Sequence, residues 1–456
     1  MFQKTIKNKI EITGKGLHTG KTNTVRMLPA PENTGVLFCR IDLKEQPFVP
    51  ALIENVSHTK RRTVVQENGV TIETIEHLLA AIYAYSINNL IIEIDGAEIP
   101  ILDGSAKLFA EEIEKAGIVN QNKRKKQIEI LHYFKVENPI DNSKIEFYPQ
   151  KNLEIEVNID YESNVLTTQK AQLKNLTNFK KDISKARTFC FLHEITHLID
   201  ENLIKGGDLK NSVVFIEQNT PTKTLGKLLN FLPKKTTVLK KGVLNNTKMI
   251  YENEQAKHKL LDLIGDISLA GFDIKGKIIA HKPGHKINTM FTQKLKEKII
   301  KSISIMEGKP LMNIEDIKKI LPHREPFLLI DEIRELGNNH VTGVKYVNIE
   351  EYYFKGHFPG APVMPGVLQI EAMAQTGGIL ALNSVPDPEN YLTYFMKIDK
   401  VKFKQKVEPN CVLIFKLHLL SPIRRGICHM EAKAYMGNEI VTEAELMAKI
   451  VKEKNE

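Results

Sequence analysis

At 456 residues the chain is too long for one ordinary hydrophobic core, and its length predicts two to four domains. Its 42% hydrophobic and 26% charged residues are globular proportions that exclude a largely disordered chain. No apolar run approaches the roughly 18 residues of a membrane span, and the lysine-rich N-terminus lacks the apolar core of a secretory signal. Four scattered cysteines without a C-x-x-C pair fit reduced thiols, so a cytoplasmic location is expected. The net charge of +9 lies outside residues 308–456, which are neutral. The basic N-terminal two-thirds predicts either an anionic ligand (a diphosphate, a nucleic acid or an acidic membrane surface) or simply a solvated lysine-rich face.

Residues 1–122 mix strand-like alternation (TVVQ, LIIEIDG) with a helix expected from about Thr71. NQNKRKKQ is polar and basic, and reads as an exposed linker. A second mixed segment covers 127–295. TQKLKEKIIKSISIMEGKP then predicts a charged helix with a Gly/Pro exit, giving a linker over 296–310 and a third domain over 311–456. No period of 20 to 50 residues recurs, so a solenoid is not expected.

In IETIEHLLAAIYAYSI, helical spacing puts Ile75, Leu78, Leu79 and Ile82 on one face and Glu73, Glu76 and His77 on the other. An adjacent Glu-His pair facing a cavity can supply a base and a metal ligand, although such a histidine is more often merely solvated. NEQAKHKLLDLIGDISLAGF predicts a second helix, with Asn253 as N-cap and Gly271 as terminator. There His258, Asp262 and Asp266 share one stripe at i, i+4 and i+8. Adding His77 would give two imidazoles and a carboxylate with an open fourth position, the pattern of a catalytic metal site. Spacing alone does not bring His77 to the second helix.

GKGLHTG, TIEHLLAA, EIPILDGSA, ARTF, HKLLDLIGD and KPGHKIN occur in the order found in the zinc-dependent UDP-3-O-acyl-N-acetylglucosamine deacetylases of lipid A synthesis, which residues 1–295 resemble. The resemblance implies two α/β domains of similar topology with the active site sandwiched between them. It implies that His77, His258 and Asp262 hold Zn2+, that Glu76 is the general base, and that His285 is general acid and stabiliser. It further implies that Asp266 orients His285, that the Thr188 hydroxyl faces the oxyanion, and that Lys259 lies near the UDP-sugar lipid substrate. These ligand types do not exclude iron. A rival metal motif, HEITH from His193 to His197, fits the H-E-x-x-H pattern of zinc proteases. It lies inside the deacetylase resemblance, which instead implies that Phe189, Phe191 and Leu192 border an acyl passage. Residues 217–250 add length with no chemistry assigned to them.

KGHFPGAPVMPGVLQIEAMAQTGGILAL opens with a Gly/Pro-rich loop and enters a helix apolar nearly all round, from Val367 and Leu368 to Leu380, which has to be enclosed. VKFKQKV, CVLIFKLHLL, ICHMEAKAYM and EIVTEAELMAKIV read as strands. One buried helix enclosed by an antiparallel sheet is the hot-dog arrangement. Glu371 sits within that helix, where a desolvated carboxyl is suited to donate or share a proton, and His357 lies on the proline-bounded loop before it. Removing water from a 3-hydroxyacyl thioester needs a base and an acid, which this pair supplies. The N–H groups of Gly366 and Val367 at the helix start can polarise the thioester carbonyl. LPHREPFLLID, GHFPGAPVMPG, LQIEAMAQ and FMKIDKVKFKQKVEPN together resemble (3R)-hydroxyacyl-[acyl-carrier-protein] dehydratases. That resemblance implies dehydration without isomerisation, since isomerising relatives usually carry Asp at the Glu371 position. It also implies a site with His and Glu from different subunits, hence a homo-oligomer: a dimer at minimum, commonly a trimer of dimers. In KVKFKQKV, strand alternation puts Lys400, Lys402, Lys404 and Lys406 on one face, either guarding a sheet edge or docking acidic acyl-carrier protein.

The expected fold is α+β, a two-domain α/β sandwich deacetylase followed by a hot-dog domain. The expected partners are the UDP-sugar lipid and acyl-carrier protein, with no nucleic acid. The competing possibility, that one half is an inactive scaffold, is opposed by the complete residue sets in both halves.

Overall fold

The computed structural model describes residues 2–125, 130, 133–150, 152–194, 206–217, 241–307, 309–436 and 439–453. The chain forms two compact units, Met1–Ile299 and Ile300–Glu456.

Alternating β-branched and polar residues build two five-stranded sheets in the first unit. In the Leu153–Ile159 strand, for example, Leu153, Ile155, Val157 and Ile159 are buried while Glu154, Glu156 and Asn158 are more exposed. One sheet consists of β1 (Ile10–Lys15), β2 (Thr22–Pro29), β3 (Val36–Arg40), β4 (Phe48–Pro50) and β5 (Leu90–Ile94), in the order β1-β2-β5-β3-β4. The other consists of β6 (Phe134–Asn138), β7 (Ser143–Tyr148), β8 (Leu153–Ile159), β9 (Gln169–Leu173) and β10 (Gly276–His281), in the order β6-β7-β10-β8-β9. In each, the last strand in sequence occupies the centre, antiparallel to the second strand and parallel to the third. A helix precedes and a helix follows each central strand: α1 (Glu76–Ala84) and α2 (Lys107–Ala116) around β5, α3 (Glu254–Ser268) and α4 (His285–Glu307) around β10. One plan is therefore used twice, although no period in the sequence records it. The two helices that precede the central strands, α1 and α3, pack on each other.

Three local expectations are corrected. The helix expected from Thr71 starts at Glu76, because Val70–Glu73 is a strand; Glu73 instead pairs with Arg62 at 2.9 Å. Residues Glu76 to Tyr83 are all buried, so the polar side of α1 faces the protein interior and not water. The stretch read as a linker is strand as far as Arg124, since Ile118–Arg124 pairs antiparallel with Phe2–Ile6. Asn253 does sit at the N-cap of α3, but its amide donates to the Lys170 carbonyl at 2.5 Å and makes no cap bond. Gly271 follows the helix with φ +77, as a terminating glycine should.

A smaller sheet joins Phe189–Phe191, Val213–Ile216 and Gly242–Val243, over a separate apolar cluster of Leu166, Phe191, Val213 and Phe215. Within the stretch 217–250, residues 218–240 lie outside the described residues, as does His197 of HEITH.

The second unit includes α5 (Ile314–Ile320), whose Asn313 and Asp316 form a reciprocal capping box. Its sheet is antiparallel throughout, in the order β11-β12-β14-β15-β16-β13. The strands are β11 (Glu332–Leu336), β12 (His340–Val347), β13 (Tyr391–Phe403), β14 (Cys411–Leu419), β15 (Ile427–Met436) and β16 (Glu439–Lys452). The apolar helix α6 (Gly366–Leu382) packs across the sheet, burying Ile370, Ala372, Met373, Ile379 and Leu380. Its first turn is open, however, with Val367 72% exposed. The edge strand β13 is also open: Tyr394, Phe395, Met396, Ile398 and Phe403 are all exposed.

The regular lysine face is a further correction. A register shift between Asp399 and Lys402 breaks the period of two, Lys400 has φ +51, and the strand ends at Phe403. Lys400 nevertheless reaches Glu445 at 2.5 Å, and Lys402 and Lys404 reach Glu443 at 3.3 and 2.6 Å, across to β16.

Candidate active sites

The first site lies where α1 meets α3. His77 Nε2 and His258 Nε2 lie 3.6 and 3.4 Å from the same oxygen, Asp262 Oδ1. One ligand atom from each of the three residues falls within 4.8 Å of the others, and all three residues are buried. Asp262 Oδ1 accepts no hydrogen bond, which is costly for a buried carboxylate oxygen. His258 Nδ1 donates to the Ala186 carbonyl at 3.0 Å, which fixes the tautomer and leaves Nε2 with a lone pair. Burial pushes the His258 pKa down to about 4, keeping the ring neutral. Burial also resists charge on Asp262, but His258, Lys259 and His77 outweigh it and hold that carboxyl well below its usual range. An orphaned carboxylate oxygen facing two imidazole nitrogens fits a bound cation.

Glu76 and His285 flank the cluster. Glu76 is 4% exposed; burial pushes its carboxyl up, while His285 and His77 draw it back. His285 begins α4 and donates from Nδ1 to Asp266 Oδ2 at 2.9 Å. Its Nε2 then points 3.8 Å from Glu76 Oε1 and 4.0 Å from Asp262 Oδ2. Burial disfavours the imidazolium, but Asp266, Glu76 and Asp262 prevail and push the His285 pKa up to about 9. Lys259 hydrogen-bonds Asp262 Oδ2 at 3.0 Å beside the Phe189 ring. Asp262 and Tyr161 hold its pKa above the lysine value against the effect of burial. Thr188 follows the Ala186 that anchors His258, and its own N–H bonds the Gly104 carbonyl at 2.8 Å.

The i, i+4, i+8 stripe on α3 is thus brought to His77, Glu76 and His285. His193 of HEITH is instead beside Glu217, its Nδ1 at 3.4 Å, with its ring stacked on Phe191. Sequence reading missed Thr63, whose hydroxyl donates to Asp266 Oδ1 at 2.6 Å and lies 3.1 Å from His285 Nδ1. A threonine in a β-branched run carries no signal beyond strand propensity.

The second site lies on α6. Glu371 keeps 18% of its side chain accessible, so the enclosure expected from the apolar helix is incomplete there. It accepts a hydrogen bond from Gln375 Nε2 at 3.0 Å and lies 3.6 Å from His323 Nε2. Gln375 is locked in turn: its Nε2 also reaches the Phe327 carbonyl at 2.7 Å, and its Oε1 accepts from the Leu329 N–H at 2.8 Å. Sequence reading passed over His323 and Gln375 although both lie in the quoted motifs; a Gln inside an apolar helix was the available signal. Between helix and sheet a cavity of about 260 Å³ runs from His323 and Glu371 past Gly377 and Gly378 to Cys428 and Met430. His357 donates from Nδ1 to the Val363 carbonyl at 2.8 Å and does not line that cavity. Among the described residues no hydrogen bond or ion pair joins it to Glu371. Gly366 and Val367 occupy the first turn of α6, where N–H groups have no intrahelical acceptor.

The family described as LpxC, UDP-3-O-acyl N-acetylglycosamine deacetylase, matches residues 3–226 and 230–297, and the FabA-like domain family matches residues 321–445. A protein named bifunctional enzyme LpxC/FabZ from Bacteroides thetaiotaomicron is 44% identical over 458 residues, covering 99% of each chain. Its namesake from Porphyromonas gingivalis is 43% identical over the same length and coverage. A UDP-3-O-acyl-N-acetylglucosamine deacetylase from Saccharophagus degradans is 37% identical over 289 residues, 63% of this chain and 87% of its own. The chain belongs to the bifunctional LpxC/FabZ family, and it is an enzyme with deacetylase and dehydratase activities in lipid A and fatty acid synthesis.

Proposed function

We propose that the first unit removes the N-acetyl group of a UDP-3-O-(3-hydroxyacyl)-N-acetylglucosamine, with His77, His258 and Asp262 holding zinc. The carrying observation is the convergence of two imidazole nitrogens on the orphaned Asp262 oxygen, with Glu76 and His285 on its flank. When bound, such an ion acidifies water and polarises the amide carbonyl. In this reading Glu76 takes the proton from the attacking water. His285, kept charged by Asp266, stabilises the oxyanion through Nε2 and protonates the departing amine. Thr188 turns its hydroxyl to the oxyanion, and Lys259 lies against the substrate. The rings of Phe189 and Tyr161, in edge contact at 5.6 Å, border the acyl chain.

The second unit, in the same reading, is a hot-dog domain. It dehydrates (3R)-3-hydroxyacyl-[acyl-carrier-protein] to the trans-2-enoyl product. His357 and Glu371 move the α-proton and protonate the leaving hydroxyl, while the Gly366 and Val367 N–H groups hold the thioester carbonyl. The acyl chain takes the cavity beside Glu371. His357 and Glu371 of one site come from different subunits, and the exposed apolar edge strand β13 is the surface that supports such an oligomer. The enzyme is a dimer at minimum, with a trimer of dimers as its complete form. It works in the cytoplasm, where its four free cysteines stay reduced.

Metal analysis tests the central site. One zinc per chain is expected in the purified enzyme, lost in Asp262→Ala and retained in His193→Ala. Loss in His193→Ala with retention in Asp262→Ala would transfer the metal to the protease-like motif.

A further inference from the structure

Thr63 is fully buried, and it touches three groups of the first site at once. Its N–H donates to Glu76 Oε2 at 3.2 Å. Its hydroxyl, with a single proton to give, donates to Asp266 Oδ1 at 2.6 Å and lies 3.1 Å from His285 Nδ1. The Thr63 carbonyl is held in turn by the Thr74 N–H at 3.1 Å, so the residue is fixed from its backbone as well.

The bonds on Asp266 complete the picture. Its Oδ2 receives His285 Nδ1 and, at 2.9 Å, Asn288 Nδ2, while Oδ1 receives Thr63. Without the hydroxyl, Oδ1 would lose its side-chain donor in a fully buried position, an arrangement that favours rotation of the carboxylate. Rotation would carry His285 with it, because the imidazole is aimed through Nδ1. We infer that Thr63 is a positioning residue of the deacetylase, one side chain and its own N–H setting the spacing between the base Glu76 and the Asp266–His285 pair. The inference rests on the roles proposed above for those three residues.

Thr63→Val keeps the shape and removes the hydroxyl; Thr63→Ser keeps the hydroxyl. Thr63→Val is expected to lower deacetylase kcat about 10- to 100-fold, the usual loss when an outer partner that orients a site residue is removed. KM is expected to stay within about threefold, since the hydroxyl touches no substrate. Thr63→Ser restores most of the rate. Zinc content and dehydratase activity of the full chain stay at wild-type levels in both, which separates the effect from misfolding. A readout independent of turnover is the side-chain nitrogen NMR spectrum, where the His285 Nδ1 resonance shifts in Thr63→Val and returns in Thr63→Ser. Wild-type kcat in Thr63→Val, or a Thr63→Ser variant as slow as Thr63→Val, overturns the inference. Companion variants keep the two levels apart. If Glu76→Gln and His285→Ala lose activity while Thr63→Val does not, only the positioning role fails. If Glu76→Gln and His285→Ala stay active, the proposed catalytic roles fail and this inference falls with them.

Discussion

Gly265 on α3 and Glu76 on α1 meet so closely that a Cβ on the glycine would fall 2.2 Å from the Glu76 carbonyl oxygen. This contact joins the two halves of the repeated plan at the point where His77 and Asp262 converge. Glycine inside a helix costs about 1 kcal/mol relative to alanine, so Gly265→Ala would stabilise an isolated helix. Here it is expected to destabilise by about 1–3 kcal/mol, because the helices are forced apart. Zinc retention against a chelator should fall as His77 moves away from Asp262. Urea unfolding and metal content after dialysis measure both; a more stable variant with normal zinc would show that the helices yield freely.

The legibility of this site followed helical geometry. His258, Asp262 and Asp266 were readable because side chains four apart are neighbours on one face of a helix, and α3 is long enough to hold all three. What α1 packs against was not readable. Periodicity separated Glu76 and His77 from the apolar residues without deciding between a cavity and solvent, and both prove buried. Thr63 acts through tertiary contacts some two hundred residues away in sequence, to Asp266 and His285, which no local pattern encodes. The doubled sheet topology was hidden for a similar reason, since strand order depends on long-range pairing.

In the second site, Gln375 is expected to set the orientation of Glu371. Its amide is locked at both ends by the backbone of Phe327 and Leu329, so the Nε2 group is presented to the carboxylate in one orientation only. Gln375→Leu should lower dehydratase kcat by about 100-fold, the order of loss for a misplacement of about 1 Å. Deacetylase activity should not change. A dehydratase rate within a few-fold of wild type would mean that Glu371 holds its position unaided.

The edge strand β13 presents Met396 and Ile398 to solvent at 51% and 44% exposure. If β13 is the subunit contact of the proposed oligomer, replacing both with Glu should dissociate it, since an unpaired charge enclosed at an interface costs about 3–5 kcal/mol. Sedimentation should show a smaller species, with dehydratase activity lost as the proposed cross-subunit pairing of His357 with Glu371 requires. An intact oligomer with normal activity would place the subunit contact elsewhere.

Lys402 and Lys404 pair with Glu443, yet their side chains remain 68% and 41% accessible. Exposed pairs of this kind contribute about 0.2–1 kcal/mol each, so reversing both charges should change stability little. The bulge breaks the period of two in this row, but the charge of Lys402 and Lys404 stays exposed. The Lys402→Glu, Lys404→Glu variant should lose kcat/KM on carrier-bound substrate and keep it on short thioesters. Unchanged rates with both substrates would leave these lysines as guards of the sheet edge.

In the proposed function one chain carries two chemically independent sites, one built on His77, His258 and Asp262 and the other on His357 and Glu371. The most direct test measures both activities, with zinc content, in the wild type, His77→Ala and His357→Ala. Loss of zinc and deacetylation alone in His77→Ala, and of dehydration alone in His357→Ala, is the predicted result. Loss of both activities in either variant, with folding intact, would contradict it and point to a single composite site.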